Sequence, residues 1–558
     1  MPFREIEGHF SKLPNINIRR SKMDLNHTVS FTGNVGDLIP FFVMEVLPGD
    51  TFKIETSKII RLSTSIHPTM DNLYLDTYYF YVPNRLVWKN WAHFMGESDV
   101  AWTDSTVYVP PYTQIGNGTS SAQGGTGYVT KVEPGSLLNY LGIPNFSSGK
   151  STVKATLLDT NAYIKIWNDW FRDENLQSSA PLFEADGIHT TTTINALKSW
   201  MNTTFGINVN FGEADSCFKV ARFHDIFSSC LPQPQKGGDV LIPATADVVT
   251  DFTASAPLWK RDANTNMYSD TAKFDTGRII SGTWTNYPGY LDPNGSLKMG
   301  NFQMTVNSLR LAMQTQKLLE RDARGGSRYV ELCKSHFGVD SPDARLQRSE
   351  YLGGSRTLLN MSEVLQTSET TSNSPLGNIA GRSSTADVEG SFTKSFVEHG
   401  QIIGVCCVRT DKTYSQGLER RYSRFNKLDY YYPVLANIGE QPIFKRELFI
   451  SATANAAVNN QVFGYQEAWA EYRYKPNRVC GYFDPSVSGS IASWNYADGY
   501  SAAPTLSSMW LMQGRSEVDR TLAVQSSVMH QLLFNFYVHG SMVRPMPVYS
   551  IPGLVDHN

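Results

Sequence analysis

The chain is 558 residues long, and 49 Lys and Arg against 52 Asp and Glu leave a formal charge of −3, which excludes a polybasic nucleic-acid binder and an acidic tail. With 41% hydrophobic, 12% aromatic and 18% charged residues, against about 25% charged in an ordinary globular domain, it is too apolar to be disordered and must bury large surfaces, within itself or between subunits. The start MPFREIEGHF places charges where a signal peptide needs an apolar stretch. The longest apolar run, Ile39 to Leu47, contains Glu45 and is far shorter than the roughly 20 residues of a membrane span, so the sequence reads as a soluble cytosolic product.

Taken in chain order, the first hundred residues read as strands: Val29–Phe31, Ile39–Val46, Phe52–Ile54 and Tyr74–Pro83, punctuated by Pro40, Pro48-Gly49-Asp50 and Pro68. Both alternate faces of Tyr74–Val82 are apolar, which predicts a strand covered on two sides. Residues 116–127, GNGTSSAQGGTG, read as a loop. A helix is expected over 160–172, capped by Asp159, with Tyr163, Ile166, Trp167, Trp170 and Phe171 on the side that packs over a sheet. Residues 239–300 contain no Glu, His or Cys but are rich in Thr, Ser, Asn and Gly with seven aromatics, a composition that folds or associates rather than links.

Further on, helices are expected from about Val306 to Gly325-Gly326 and over RYVELCKSHF, the latter capped by Ser327 and stopped by Gly338, with another start offered by Ser341-Pro342. From Phe396 the pattern returns to strands at Ile402–Val408, Phe444–Ile450 and Leu532–Val538. Strands at both ends with helices and loops between them predict a mainly β protein: one antiparallel sandwich whose first and last strands meet, with long insertions.

Catalytic and metal motifs are weak. Ser148-Gly149-Lys150-Ser151 imitates the end of a phosphate loop, but Pro144 stands where its first glycine belongs and removes a needed N–H. Asp262, Asn264, Asn266 and Asp270 have calcium-loop spacing, yet Met267 and Lys273 replace the turn glycine and the bidentate acid. His224-Asp225 lacks a nucleophile partner and reads as structural hydrogen bonding. Six cysteines without a C-x-x-C pair read as free thiols, with Cys406 and Cys407 on opposite faces of a strand. No enzyme and no cofactor is expected. Basic and aromatic residues interleave in IRRSK (18–22), RRYSRFNKLDYYYP (420–433) and YRYKPNR (472–478), a mixture that suits single-stranded nucleic acid or subunit packing.

The strings SKMDLNHTVSFTGNVGDLIPFFVMEVLPGD (21–50), FHDIFSSCLPQPQKG (223–237), QKLLERDARGGSRYVELCKSHFGVDSPDARLQRSEYLGGSR (316–356) and FGYQEAWAEYRYKPNRVCGYF (463–483) closely resemble the major capsid protein of gokushoviruses, microviruses that infect bacteria. The likeness runs through nearly the whole chain and fades at 116–127 and 239–300. It implies a β jelly roll with long loops, an icosahedral T=1 shell around circular single-stranded DNA, and residence in the virion after assembly in the bacterial cytoplasm. Implied partners are further copies of the chain, DNA-binding and pilot proteins, a scaffolding protein and a host receptor.

On that basis residues 1–235 form the N-terminal part of the jelly roll, 236–302 a threefold surface protrusion, and 303–558 a helical block followed by the C-terminal part. The residues themselves nominate Arg19, Arg20, Lys22, Arg420, Arg421 and Arg424 for contact with DNA. They also nominate Trp259, Tyr268, Phe274, Trp284, Tyr287 and Tyr290 for host attachment. The alternative from another class is a cell-surface carbohydrate-binding or carbohydrate-cleaving β-protein, whose cleaving form needs two facing carboxylates.

Overall fold

Two antiparallel sheets stack face to face and enclose the main core. The computed structural model describes residues 18–97, 107–116, 129–145, 153–238, 305–326, 328–370, 375–388 and 390–549, together with residue 240 and short backbone strands within 248–299. The chain divides into two compact units, one built from 1–234 and 325–558 and the other from 235–324.

In the first unit, the strands are β1 (Ser21–Asp24), β2 (His27–Gly33), β3 (Ile39–Val46), β4 (Thr51–Leu62), β5 (Leu73–Pro83), β6 (Glu350–Leu358), β7 (Thr385–Val388), β8 (Phe392–Ser395), β9 (Gly400–Thr410) and β10 (Leu532–Arg544). One sheet places β10 between β4 and the pair β1 and β2, with β7 and β8 on the far edge of β4. The other runs β6-β5-β9-β3. First and last strands therefore meet, His27 opposite Val538 and Gly33 opposite Leu532.

The alternation in the sequence explains the layering. In β4 (TFKIETSKIIRL) and β10 (LLFNFYVHGSMVR) every second residue is buried and the rest are largely exposed, so this sheet covers the core with one face only. Phe52, Ile54, Ile60, Phe536 and Val538 meet Phe41, Tyr79, Tyr81, Ile402 and Cys406 of the facing sheet. Strands β5 and β9 are apolar on both faces, and Phe80, Ile403, Val405 and Cys407 turn away from the sandwich into a second core. Cys406 and Cys407 thus point into different layers as expected, and all six cysteines are free thiols.

That second core is roofed by α1 (Leu158–Ile166) and α2 (Thr191–Phe205). The expected helix is present, yet it begins before Asp159, which lies in the first turn and makes no cap. Burial, with the Glu45 charge adding to it, pushes the Asp159 carboxyl up to about 6. Trp167–Phe171 then widen into a π turn, which carries Trp170 and Phe171 over Phe80 and Tyr78 at ring distances of 5.5 and 5.6 Å.

In the second unit, backbone strands Val248–Thr250 and Leu297–Met299 pair antiparallel, as do Leu258–Arg261, Tyr268–Asp275 and Arg278–Ser281 in a three-stranded sheet. The helix α3 (Val306–Gly325) starts at the expected residue. The following helix, α4 (Tyr329–Phe337), ends at Gly338 in the left-handed region (φ 69°) as expected. Its cap position is Arg328, whose N–H is accepted by Glu331, while Ser327 lies outside the described residues. Ser341-Pro342 opens turns instead of a helix.

The largest correction is at Phe444–Ile450. The strand there is Glu440–Phe444, paired with Val462–Glu467, and Lys445–Glu447 form a 3-10 turn. Its apolar residues serve a third small core in which Ile443 and Leu448 pack with Phe227, Tyr414, Phe463 and Trp510, so burial in a loop cluster produced a run that looked like a strand.

Candidate assembly and nucleic-acid surfaces

The loop region between β9 and β10 stands on a buried ion network. Asp498 accepts from Lys412 Nζ at 3.0 Å, Arg222 Nη1 at 2.5 Å and the Tyr500 hydroxyl at 2.6 Å, with all three charged groups buried. Burial alone would raise the Asp498 carboxyl, but the Lys412 and Arg222 charges outweigh it and hold the group below its ordinary range. Arg222 also lies over the Trp510 ring at 4.7 Å, which ties the network to the third core.

Upon this base the structure brings together two of the three basic–aromatic strings. Arg424 donates to Glu471 at 2.8 Å and lies over the rings of Tyr472 and Tyr430 at 4.3 and 5.6 Å. Tyr431 meets Trp469 and Tyr472 at 5.7 and 6.0 Å. Arg420 donates to the Pro442 carbonyl at 2.9 Å, and Arg421 shares Glu419 with Arg478 at 2.7 and 3.0 Å. These four arginines line a cavity of about 330 Å³ with Tyr472, Tyr474 and Glu447. Burial lifts the Glu447 carboxyl against the opposing charge of Arg420. Cations here are met by carboxylates, carbonyls and rings of the same chain.

Outside that cavity the same loop presents apolar side chains to solvent: Phe425 is 88% exposed, Leu428 71% and Val434 93%, beside Tyr430, Tyr431 and Tyr432. With aromatic side chains offering about 150–250 Å² each, these residues expose on the order of several hundred Å² of apolar surface, at or above the largest patch on a typical monomer.

The third string lies apart from the loop. Arg19 and Arg20 precede β1, and Lys22 sits within it, all three exposed. Strand β1 joins the edge of the one-sided sheet, with Lys22 opposite Val543. The sequence reading missed the rest of that sheet face. Strict alternation in β4 and β10 turns Lys53, Glu55, Ile59 and Arg61, and Leu533, Asn535, Tyr537 and His539, outward. A period-two reading of TFKIETSKIIRL and LLFNFYVHGS would have found them.

Of the residues nominated for attachment, Trp259, Tyr268 and Phe274 fall on the backbone strands of the second unit; Trp284, Tyr287 and Tyr290 lie outside the described residues. The phosphate-loop imitation at 148–151, the Gly/Ser loop from 117 onward and residues 262–267 of the calcium-like loop also lie outside them, while Asp270 and Lys273 fall on the strand Tyr268–Asp275. Asp225 is structural, as read: it accepts from the Phe227 and Ser228 N–H groups at 3.0 and 2.7 Å and from the Tyr414 hydroxyl at 2.5 Å. Among the described residues, no group of three or more His, Cys, Asp or Glu could hold a metal ion, and no helix is long and apolar enough to cross a membrane.

An antiparallel sandwich with a long loop that presents apolar side chains to solvent is an architecture suited to a shell component. The capsid protein (F protein) family model matches residues 11–554. Three proteins called capsid protein VP1 are similar over nearly their whole length. That of Chlamydia phage 1 is 35% identical with 98% of each chain aligned, that of Bdellovibrio phage phiMH2K is 34% identical with 98% of each aligned, and that of Spiroplasma virus 4 is 36% identical over 98% of this chain and 97% of the relative. The chain belongs to the capsid protein (F protein) family and is a major capsid protein of a microvirus, a structural part of the virion and not an enzyme.

Proposed function

We propose that this subunit is a jelly roll that closes an icosahedral T=1 shell around circular single-stranded DNA, and that residues 236–302 project from it to engage the host. Counting β7 and β8 together, the sandwich strands from β2 to β10 fall in the order 1-8-3-6 in one sheet and 2-7-4-5 in the other, the winding of two Greek keys. The exposed apolar loop carries the assembly reading, because the described residues leave Phe425, Leu428 and Val434 uncovered and another chain would bury them. Arg420 and Arg424 brace that loop, while Arg19, Arg20 and Lys22 are free to meet the genome, with Arg421 between these roles. Assembly takes place in the host cytoplasm with scaffolding, DNA-binding and pilot proteins.

Electron microscopy of the natively produced protein tests the shell: closed DNA-containing particles are expected, and a persistent monomer under all conditions that stabilise such phages overturns it. Exchange of 236–302 between two such phages with different hosts tests attachment. Intact chimeric particles are expected to take the adsorption range of the donor, and unchanged adsorption removes the receptor role.

A further inference from the structure

The open face of the one-sided sheet has the chemistry of a polynucleotide platform. Its rows follow from the register. Tyr537 lies between Thr28 of β2 and Ser57 of β4, and Asn535 lies between Ser30 and Ile59. His539 lies opposite Glu55, and the rings of Tyr537 and His539 meet edge to face at 4.8 Å with an 84° interplanar angle. Both side chains are exposed. Around this aromatic pair the face carries hydroxyls, with Lys53, Arg61 and Lys22 at its margins.

Charge on this side runs against that of the chain. Outward on the strands of this face, Lys22, Lys53 and Arg61 are three cations against the two carboxylates Asp24 and Glu55, a surplus of one in a chain whose total is −3. Unlike Arg421, Arg424 and Arg478, none of the three makes an ion pair with a carboxylate among the described residues. Cations that follow phosphates, rings that stack on bases of any sequence, and hydroxyls that bond to either are the elements of sequence-tolerant single-strand binding.

A second copy of the chain fits this face poorly. A subunit contact needs a dry apolar centre, but here Ile59, Leu533, Tyr537 and Val388 are interrupted by Ser57, Asn535 and Glu55, which a contact would have to desolvate. The chain offers a far more apolar face elsewhere, at Phe425 and Val434.

We propose that the open face of the β10-centred sheet binds single-stranded polynucleotide, with Tyr537 and His539 stacking on bases and Lys22, Lys53 and Arg61 meeting phosphates. This rests on the reading that the shell encloses such a strand, and it places the face toward the lumen. The test uses intact particles from the native source, irradiated with ultraviolet light, digested with nuclease and protease, and searched by mass spectrometry for nucleotide adducts. Adducts concentrated on the peptide holding Tyr537 and His539, several-fold above those holding Tyr430–Tyr432 or Tyr472, are expected. A second arm compares wild-type particles with the double variant Lys53→Gln, Arg61→Gln, which is expected to release DNA at lower temperature and lower salt. DNA-filled particles whose adducts lie only on other peptides overturn the inference and leave the shell reading standing. Particles that never contain DNA overturn both.

Discussion

The loop face at 422–438 and the open sheet face are both exposed, but they are built by opposite rules. The loop face sets large apolar and aromatic groups within and between short 3-10 turns, pairs Arg421 with Glu419 and Arg424 with Glu471, and ties Arg420 to the Pro442 carbonyl. The sheet face alternates, so that Lys53 and Arg61 stand outward between inward Phe52 and Ile54 and between Ile60 and Leu62. One face gains by losing water, whereas the other keeps it. Exposure alone therefore does not identify a partner; what decides is whether the charges on a face are already satisfied.

The largest expected effects undermine the ground on which each face stands. Phe536 is fully buried directly beside Tyr537 and packs on Phe41, Phe31 and Phe534 at 4.9, 5.2 and 5.8 Å. Phe536→Ala is expected to cost about 3–5 kcal/mol and to abolish particle yield, since the sheet carries both the sandwich and the open face. Yield and melting temperature equal to wild type would show that the ring is not core.

Asp498 plays the same part beneath the loop face. Its carboxyl is held below the ordinary value of 3.8, so its contribution is complete above that pH and is lost as the pH falls below it and the group takes up a proton. Acidification is therefore expected to raise hydrogen exchange at 412–416 and 496–500 before the amides of β4 and β10 lose protection. Asp498→Asn, which leaves Lys412 and Arg222 buried against a neutral group, is expected to reproduce the effect at neutral pH at a cost of about 3–5 kcal/mol. Simultaneous loss of protection in both regions would show that the loops and the sandwich unfold as one.

The smallest effect on stability is the most informative about assembly. Val434→Asp is expected to change subunit stability by no more than about 0.5 kcal/mol, because the side chain touches little in the isolated chain. Sedimentation is nevertheless expected to show loss of particles. Particles at wild-type yield would remove the loop face as a subunit contact.

Much of the sandwich was legible because its signals are local. Ile39–Val46 was read to the residue, since a β-branched and aromatic run stops at Pro48-Gly49, where Gly49 takes φ 90° in the turn. β10 was cut short at Val538 because Gly540 and Ser541 interrupt the apolar count, although their backbone continues the pairing to Arg544. Phe444–Ile450 misled because burial in a loop core is not periodic. The two arginine–tyrosine strings were visible separately, but their meeting depends on Glu471 and Trp469, which have no mark in sequence. The open face was the least legible, because it is defined by register across β2, β10 and β4, strands separated by hundreds of residues.

That register also governs when the subunit can exist. β10 is the centre of its sheet, yet it begins only at Leu532, so a chain emerging from the ribosome carries β2 and β4 with no strand between them until hundreds of further residues have been added. The sandwich is closed only once β10 has been made, and its contacts are among the most distant in sequence, which makes closure slow. A polypeptide cut short anywhere before β10 lacks the middle of the sheet and cannot offer neighbours a finished surface. Synthesis of β10 thus acts as the licence for polymerisation, and fragments that lack it are kept out of the shell by topology.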